Sequence, residues 1–207
     1  MKLPAGLLAV ALLASGLVSG CAGAGVTPPP PETRVDVDTP ELRRAKAAAG
    51  VAACPAELTG GGSDLPGVSL ACLGGGEPVP LDEVSGPAVL PLWASWCEPC
   101  KKELPLYARL ARETEGELTV LGINYQDTQP DLALELLEAS GVEYPQVADP
   151  GGTLADSYRI RGLPGTLWVE DDGTATFANQ LVHSYDDLTQ LVSSRLGVSV
   201  GGTPAGR

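Results

Sequence analysis

Histidine is nearly missing from this chain: His183 is the only one in 207 residues. That excludes a histidine-built metal centre. Alone, His183 reads as a loop or cap residue rather than a ligand. Cations are scarce as well: 13 Lys and Arg face 26 Asp and Glu, for a formal charge of −13. Phosphate backbones are held by clustered cations, so no nucleic-acid partner is expected. Anionic lipid headgroups repel such a surface, so membrane attachment must come from an acyl anchor. The acidic excess itself serves solubility. No long hydrophobic run occurs either. The run from Leu7 to Val18 has about 12 residues, against the ~20 of a spanning helix. No internal repeat is visible.

What is present begins with that run. Lys2, the apolar stretch and the small residues before Cys21 read as a secretory signal. The ending Val18-Ser-Gly-Cys21 resembles a bacterial lipobox. It implies cleavage before Cys21, a lipid on its sulfur and a place on the outer face of the cytoplasmic membrane. The alternative is a secreted protein cut nearby, with a spare cysteine. Removing residues 1–20 takes away only Lys2 among the charged side chains, leaving a formal charge of −14. Residues 21–50 then read as a Pro-rich tether, including Pro28 to Pro31, ending in a short helix. Where polyproline-like, such a tether reaches about 3 Å per residue. The helix runs from Pro40 to Ala49, with proline in its first turn and Gly50 as its stop.

Five cysteines, less Cys21, leave four. Cys97 and Cys100 form a Cys-x-x-Cys pair. Cys54 and Cys72 remain, and in an exported chain they are expected to form one structural bridge. A bridge closing a loop of about 19 residues stabilises a fold by about 3 kcal/mol in the chain-entropy model. A zinc site built from all four is the competing reading. It lacks both histidines and ligand spacing in the second pair.

The domain is expected over 51–197, with a disordered tail over 198–207. Short strands are predicted at Val68–Leu70 and Val79–Leu81, and a longer one from Ala88 to Trp93. Pro91 is odd there, because it has no N–H for a sheet ladder. A helix over about 98–114 follows, which Pro105 should kink. Leu118 to Tyr125 reads as a buried parallel strand. Helices follow at Pro130–Ser140 and Thr153–Tyr158. Then come a hairpin, Thr166–Val169 and Thr174–Ala178, around an Asp-Gly turn, and a last helix capped at Ser184. This order makes an α/β domain: a mixed central sheet flanked by helices, preceded by a short-strand extension.

The chemistry centres on Trp93-Ala-Ser-Trp-Cys97-Glu-Pro-Cys100-Lys-Lys-Glu103. Three-residue spacing lets both sulfurs close one small ring, with the first at a helix N-terminus. Unpaired N–H groups and the helix dipole stabilise a thiolate there. A thiolate is the species that attacks disulfides. Cys97 is therefore the expected nucleophile and the more exposed of the pair, and Cys100 the buried resolving thiol. A purely structural bridge is the bland alternative. Glu98 opposes thiolate formation by like charge while the dipole favours it, so the Cys97 pKa stays open. A value not far below neutral would suit a reductase.

This segment, with Leu104-Pro105 and Ile160-Arg-Gly-Leu-Pro164, resembles the TlpA/ResA-like thiol–disulfide oxidoreductases of the thioredoxin superfamily over about residues 65–197. The resemblance implies a thioredoxin-like fold and an exported, often membrane-tethered enzyme. It implies protein disulfides as substrates, including those of apocytochromes c before haem attachment, and re-reduction by a membrane electron carrier. No cofactor is implied beyond the Cys97–Cys100 pair. It also implies that Glu103, on the helix face of Cys100, takes the proton of that thiol. An exposed helix glutamate is the alternative. Pro164 matches the cis-proline opposite the active site, where a neighbouring backbone can pair with a substrate strand. Trp96 should be a half-exposed shield and docking surface, and Trp93 core.

Two positions depart from the pattern. Gly165 stands where threonine is usual after the proline. Pro91 stands where thioredoxins carry a buried aspartate. Rival readings are an oxidase or isomerase for exported proteins, a redox-silent metal carrier or scaffold, and a thiol peroxidase. The last would need Thr-x-x-Cys where this chain has Ala94-Ser-Trp-Cys97.

Overall fold

The computed structural model describes residues 35–55 and 62–201. The signal, Cys21 and most of the tether lie outside the described residues. The elements, in chain order, are α1 (Pro40–Ala49), β1 (Ser69–Cys72), β2 (Val79–Pro80), a 3-10 turn (Leu81–Glu83), β3 (Ala88–Trp93), α2 (Glu98–Glu113), β4 (Thr119–Val120), β5 (Gly122–Tyr125), α3 (Pro130–Ala139), β6 (Gln146–Asp149), α4 (Ala155–Tyr158), β7 (Gly165–Val169), β8 (Ala175–Ala178) and α5 (Tyr185–Leu196). The sheet order is β2-β1-β6-β5-β3-β7-β8, with β4 also on β3. β3 runs parallel to β4 and β5 and antiparallel to β7, so the sheet is mixed as expected. β5 and β6 are parallel, and β1 joins β6 antiparallel.

Local chemistry sets the element ends. The Thr39 hydroxyl accepts the Leu42 N–H at 3.3 Å, Pro40 fits the first turn, and Gly50 closes α1 in the left-handed region. Ser184 caps α5 by accepting the Asp187 N–H at 3.1 Å. The Asp-Gly turn joins β7 to β8, and Asp172 accepts the Thr174 N–H.

β3 is buried at all six positions and feeds both faces of the sheet. Val89 and Trp93 point into a core shared with α1, α2, α3 and α5. Ala88, Leu90 and Leu92 point into a second core, with Leu70, Leu81, Val147 and Leu154. Tyr158 of α4 packs on that second core.

Several expectations change. β6 was not predicted: four residues with polar ends, Gln146 and Asp149, behind Pro145 carry a weak strand signal, yet all four are buried. The single strand expected over 118–125 is two, β4 and β5. Their pairings with β3 skip Leu90 and Pro91, where Pro91 has no N–H to give. Pro91 thus sits in a central strand, paired on its other side with Thr166. α2 continues through Pro105. The boundary at residue 51 moves: α1 belongs to the folded unit, with Val37, Leu42 and Val51 in the first core. At the other end Val198 and Val200 pack on that core, so order runs past 197.

Candidate active site

β3 ends at Trp93, and the chain turns through Ala94-Ser95-Trp96 into α2. Cys97 is the residue before that helix, in extended geometry, and its sulfur occupies the position of a capping oxygen: the Cys100 N–H points at it, 3.3 Å away. An anion at this point meets both an N–H and the positive end of a sixteen-residue helix. Cys97 and Cys100 are joined as a disulfide, with Cα atoms 5.3 Å apart. Cys97 is 4% exposed and Cys100 1%. The order is as expected, but Cys97 is far less open than expected. Its ring is set in a rim of exposed side chains, Trp96, Glu98 and Pro99. Glu98 forms an ion pair with Lys101 at 3.1 Å, which offsets part of its repulsion toward a Cys97 thiolate.

Glu103 is buried, 4% exposed, on the helix face of Cys100. Its only hydrogen bond among the described residues comes from the Val182 N–H, at 2.8 Å. Burial raises its carboxyl pKa from 4.5 to about 7, against the lowering effect of that N–H. Pro91, Cys100 and Glu103 line one small cavity of about 10 Å³. The side of this cavity supplied by β3 is thus apolar, and Glu103 is the carboxyl nearest in chain to Cys100 within it. A carboxyl of that pKa can exchange a proton at neutral pH. On the outer side, Glu103 borders a cleft of about 400 Å³ with Glu98, Pro99, Lys102, Leu181 and His183. His183 lies in the loop before α5, as expected, and lines this cleft beside the site.

Trp96 is 56% exposed, as expected, and Trp93 is buried. The Trp96 indole N–H donates to the Gln126 carbonyl at 3.2 Å, which fixes the ring over the loop that follows β5. The Leu163–Pro164 bond is cis. Gly165 pairs with Leu92, so Pro164 lies level with the end of β3 that leads to Cys97. Asn179 clamps this loop, donating to the carbonyls of Gly162 and Pro164 at 3.1 and 2.6 Å. The Gly165 departure has a local cause. A Cβ there would meet the ring of Phe177 at 2.6 Å, so the chain's single phenylalanine fills the space a threonine would use.

Sequence reading missed Asp127. It is buried and accepts from the Ser95 N–H (2.6 Å), the Ser95 hydroxyl (3.1 Å), the Asn124 amide (3.0 Å) and the Gln129 N–H (3.1 Å). It holds the Cys97 loop to the carboxyl end of β5. The available signal was an acid just beyond a buried parallel strand, where α/β sheets gather their sites.

Cys54 and Cys72 form the second disulfide, with Cα atoms 5.9 Å apart. Among the described residues, no group of three or more His, Cys, Asp or Glu could hold a metal ion. No helix there is long and apolar enough to cross a membrane.

The AhpC/TSA family model matches residues 62–178, more than half of the chain. The chain is 29% identical over 136 residues to the thiol–disulfide oxidoreductase ResA of Bacillus subtilis (strain 168), covering 61% of this chain and 74% of that protein. It is 30% identical over 122 residues to ResA of Halalkalibacterium halodurans, covering 55% of this chain and 68% of that one. Among solved structures, MTB DsbF in its mixed oxidised and reduced forms superposes with a TM-score of 0.56, at 26% identity, over 62% of this chain and 94% of its own. The Cys-x-x-Cys pair at a strand–helix junction of a thioredoxin-like sheet agrees with all four. The chain belongs to the AhpC/TSA family, as a ResA-like thiol–disulfide oxidoreductase of the thioredoxin superfamily.

Proposed function

We propose that this protein reduces disulfides of exported proteins at the outer face of the cytoplasmic membrane, held there by a lipid on Cys21. The observation that carries the dithiol chemistry is Glu103, a buried carboxyl bordering the same cavity as Cys100; the reducing direction rests on the resemblance to the TlpA/ResA-like proteins. In the reduced enzyme the Cys97 thiolate attacks one sulfur of a substrate disulfide. A mixed disulfide forms, and the substrate's other sulfur leaves as a thiolate. Cys100 gives its proton to Glu103 and attacks Cys97. The second substrate thiol is released and the Cys97–Cys100 disulfide remains. Two electrons from a membrane carrier restore the dithiol. Trp96 and the backbone before Pro164 form the docking surface for the substrate strand. The substrate class is an exported chain with a Cys-x-x-Cys bridge, such as an apocytochrome c. Support comes from the likeness to ResA and from the lipobox-like Val18-Ser-Gly-Cys21. We assign the signal to 1–20 and the tether to the chain between Cys21 and α1.

The test is capture in cells with a Cys100→Ser variant, which stalls at the mixed disulfide on Cys97. Apocytochromes among the captured proteins support the reading. Capture of diverse exported proteins replaces it with oxidative folding. Capture of nothing by a folded variant overturns it. The Cys97–Cys100 reduction potential separates the directions: near −270 mV fits a reductase, near −120 mV an oxidase.

A further inference from the structure

Lys46 is an unexpected core residue. It lies on α1, is buried, and its ammonium is 2.9 Å from the sulfur of Cys72. It also donates to the Gly75 carbonyl at 3.0 Å. The nearest acid is Asp38, on the segment leading into α1. Both Asp38 oxygens are engaged by the Arg43 guanidinium, at 2.6 and 2.9 Å. Among the described residues the Lys46 charge therefore faces one carbonyl and one neutral disulfide sulfur. Burial of a cation without a directly paired anion is costly, and here it outweighs the attraction of Asp38 and pushes the ammonium pKa down. The fold nevertheless closes around it. Gly74 turns with φ +72°, and a Cβ there would come within 2.7 Å of Lys46 Cβ.

The other sulfur shows a matching feature. Cys54 Sγ is 3.3 Å from the Gln146 carbonyl oxygen, which also accepts the Leu73 N–H. A disulfide sulfur has no proton to offer a carbonyl, whereas a thiol has. Both surroundings suit the reduced pair better than the bridge: an ammonium beside Cys72 for a thiolate, an acceptor beside Cys54 for an S–H. A bridge that only staples the chain needs neither.

We propose that Cys54–Cys72 is a second redox centre, a disulfide built to be opened by a dithiol of the thioredoxin class, with Cys72 leaving as a thiolate on Lys46. The donor's first thiolate attacks the sulfur of Cys54, the less buried residue of the pair at 7% exposure against 1% for Cys72. The S–S bond breaks and its electron pair goes to Cys72, where the ammonium stabilises the leaving thiolate. The donor's second thiolate attacks its partner sulfur in the mixed disulfide. Cys54 leaves, takes one of the donor's protons, and as a thiol hydrogen-bonds to the Gln146 carbonyl. Two electrons have moved; the donor is now a disulfide, and the second proton of its dithiol has gone to solvent. Gln146 also ties this bridge to β3. The Gln146 side chain accepts the Trp93 indole N–H at 2.9 Å, on the strand that leads to Cys97.

The experiment uses the chain with Cys97→Ser and Cys100→Ser, so that only this bridge reacts. It is equilibrated with mixtures of reduced and oxidised dithiothreitol, alkylated and weighed, with circular dichroism to follow the fold. The bridge is expected to open while the protein stays folded. Lys46→Met should require at least a tenfold higher ratio of reduced to oxidised reagent at the midpoint. Equal midpoints, or opening only on unfolding, overturn the proposal. Should Lys46→Met fail to fold, thiolate absorbance at 240 nm decides with Lys46 in place. A Cys72 thiolate half-formed below pH 7 supports the proposal, and one half-formed at the ordinary pH of about 8.5 or above overturns it.

Discussion

Replacing Glu103 by glutamine should make the protein more stable and a worse enzyme, with the gain in stability dependent on pH. Unfolded, the carboxyl titrates at 4.5; folded, at about 7. Below pH 4.5 it is neutral in both states and its burial is free of charge cost. As pH rises from 4.5 to 7, the unfolded chain loses this proton and the folded one keeps it, so stability falls. Above 7 the folded carboxylate is ionised in place and the deficit is constant. At one pKa unit per 1.36 kcal/mol, the full deficit is about 3 kcal/mol. Glutamine carries no charge in either state, and its carbonyl oxygen can still accept the Val182 N–H. Glu103→Gln should therefore gain about 1 kcal/mol at pH 5 and about 3 kcal/mol at pH 8. Urea midpoints of the oxidised protein at the two pH values measure this. The same variant should slow the resolving attack of Cys100 on the order of 100-fold, the usual range for a lost general base. Stopped-flow release of a chromogenic mixed disulfide reads that step. Equal stability shifts at both pH values, or an unchanged release rate, would refute the argument from burial.

Asp127→Ala should cost about 3 kcal/mol in urea denaturation, because four buried or half-buried donors lose their acceptor; an effect below 0.5 kcal/mol would show that the loop holds itself. Gly165→Thr should destabilise by about 2 kcal/mol through overlap with Phe177. Most of that cost should vanish in a Phe177→Ala background, as a double-mutant cycle can show, and additive losses would place the clash elsewhere.

Chain-local features of this protein were legible in its residues. Proline at the start of α1, the serine cap of α5, the Asp-Gly turn and the apolar run of β3 act through neighbours one to four positions away, so the expected elements stand within a residue or two. The Cys-x-x-Cys pair is local in the same sense: its ring and its helix N-terminus come from consecutive residues. Counting cysteines was enough to pair Cys54 with Cys72. Tertiary structure alone settled what depends on distant partners. Glu103 owes its raised pKa to burial in the assembled core, which outweighs the lowering N–H of Val182, 79 positions along the chain. Asp127 reaches back 32 positions to Ser95. Phe177 explains Gly165, and α1 carries a lysine to a disulfide 26 residues away. β6 became a strand because burial between β1 and β5 outweighed its weak propensity. Burial and electrostatics are properties of assembled surroundings, and a sequence pattern reports them only where those surroundings are its own near neighbours.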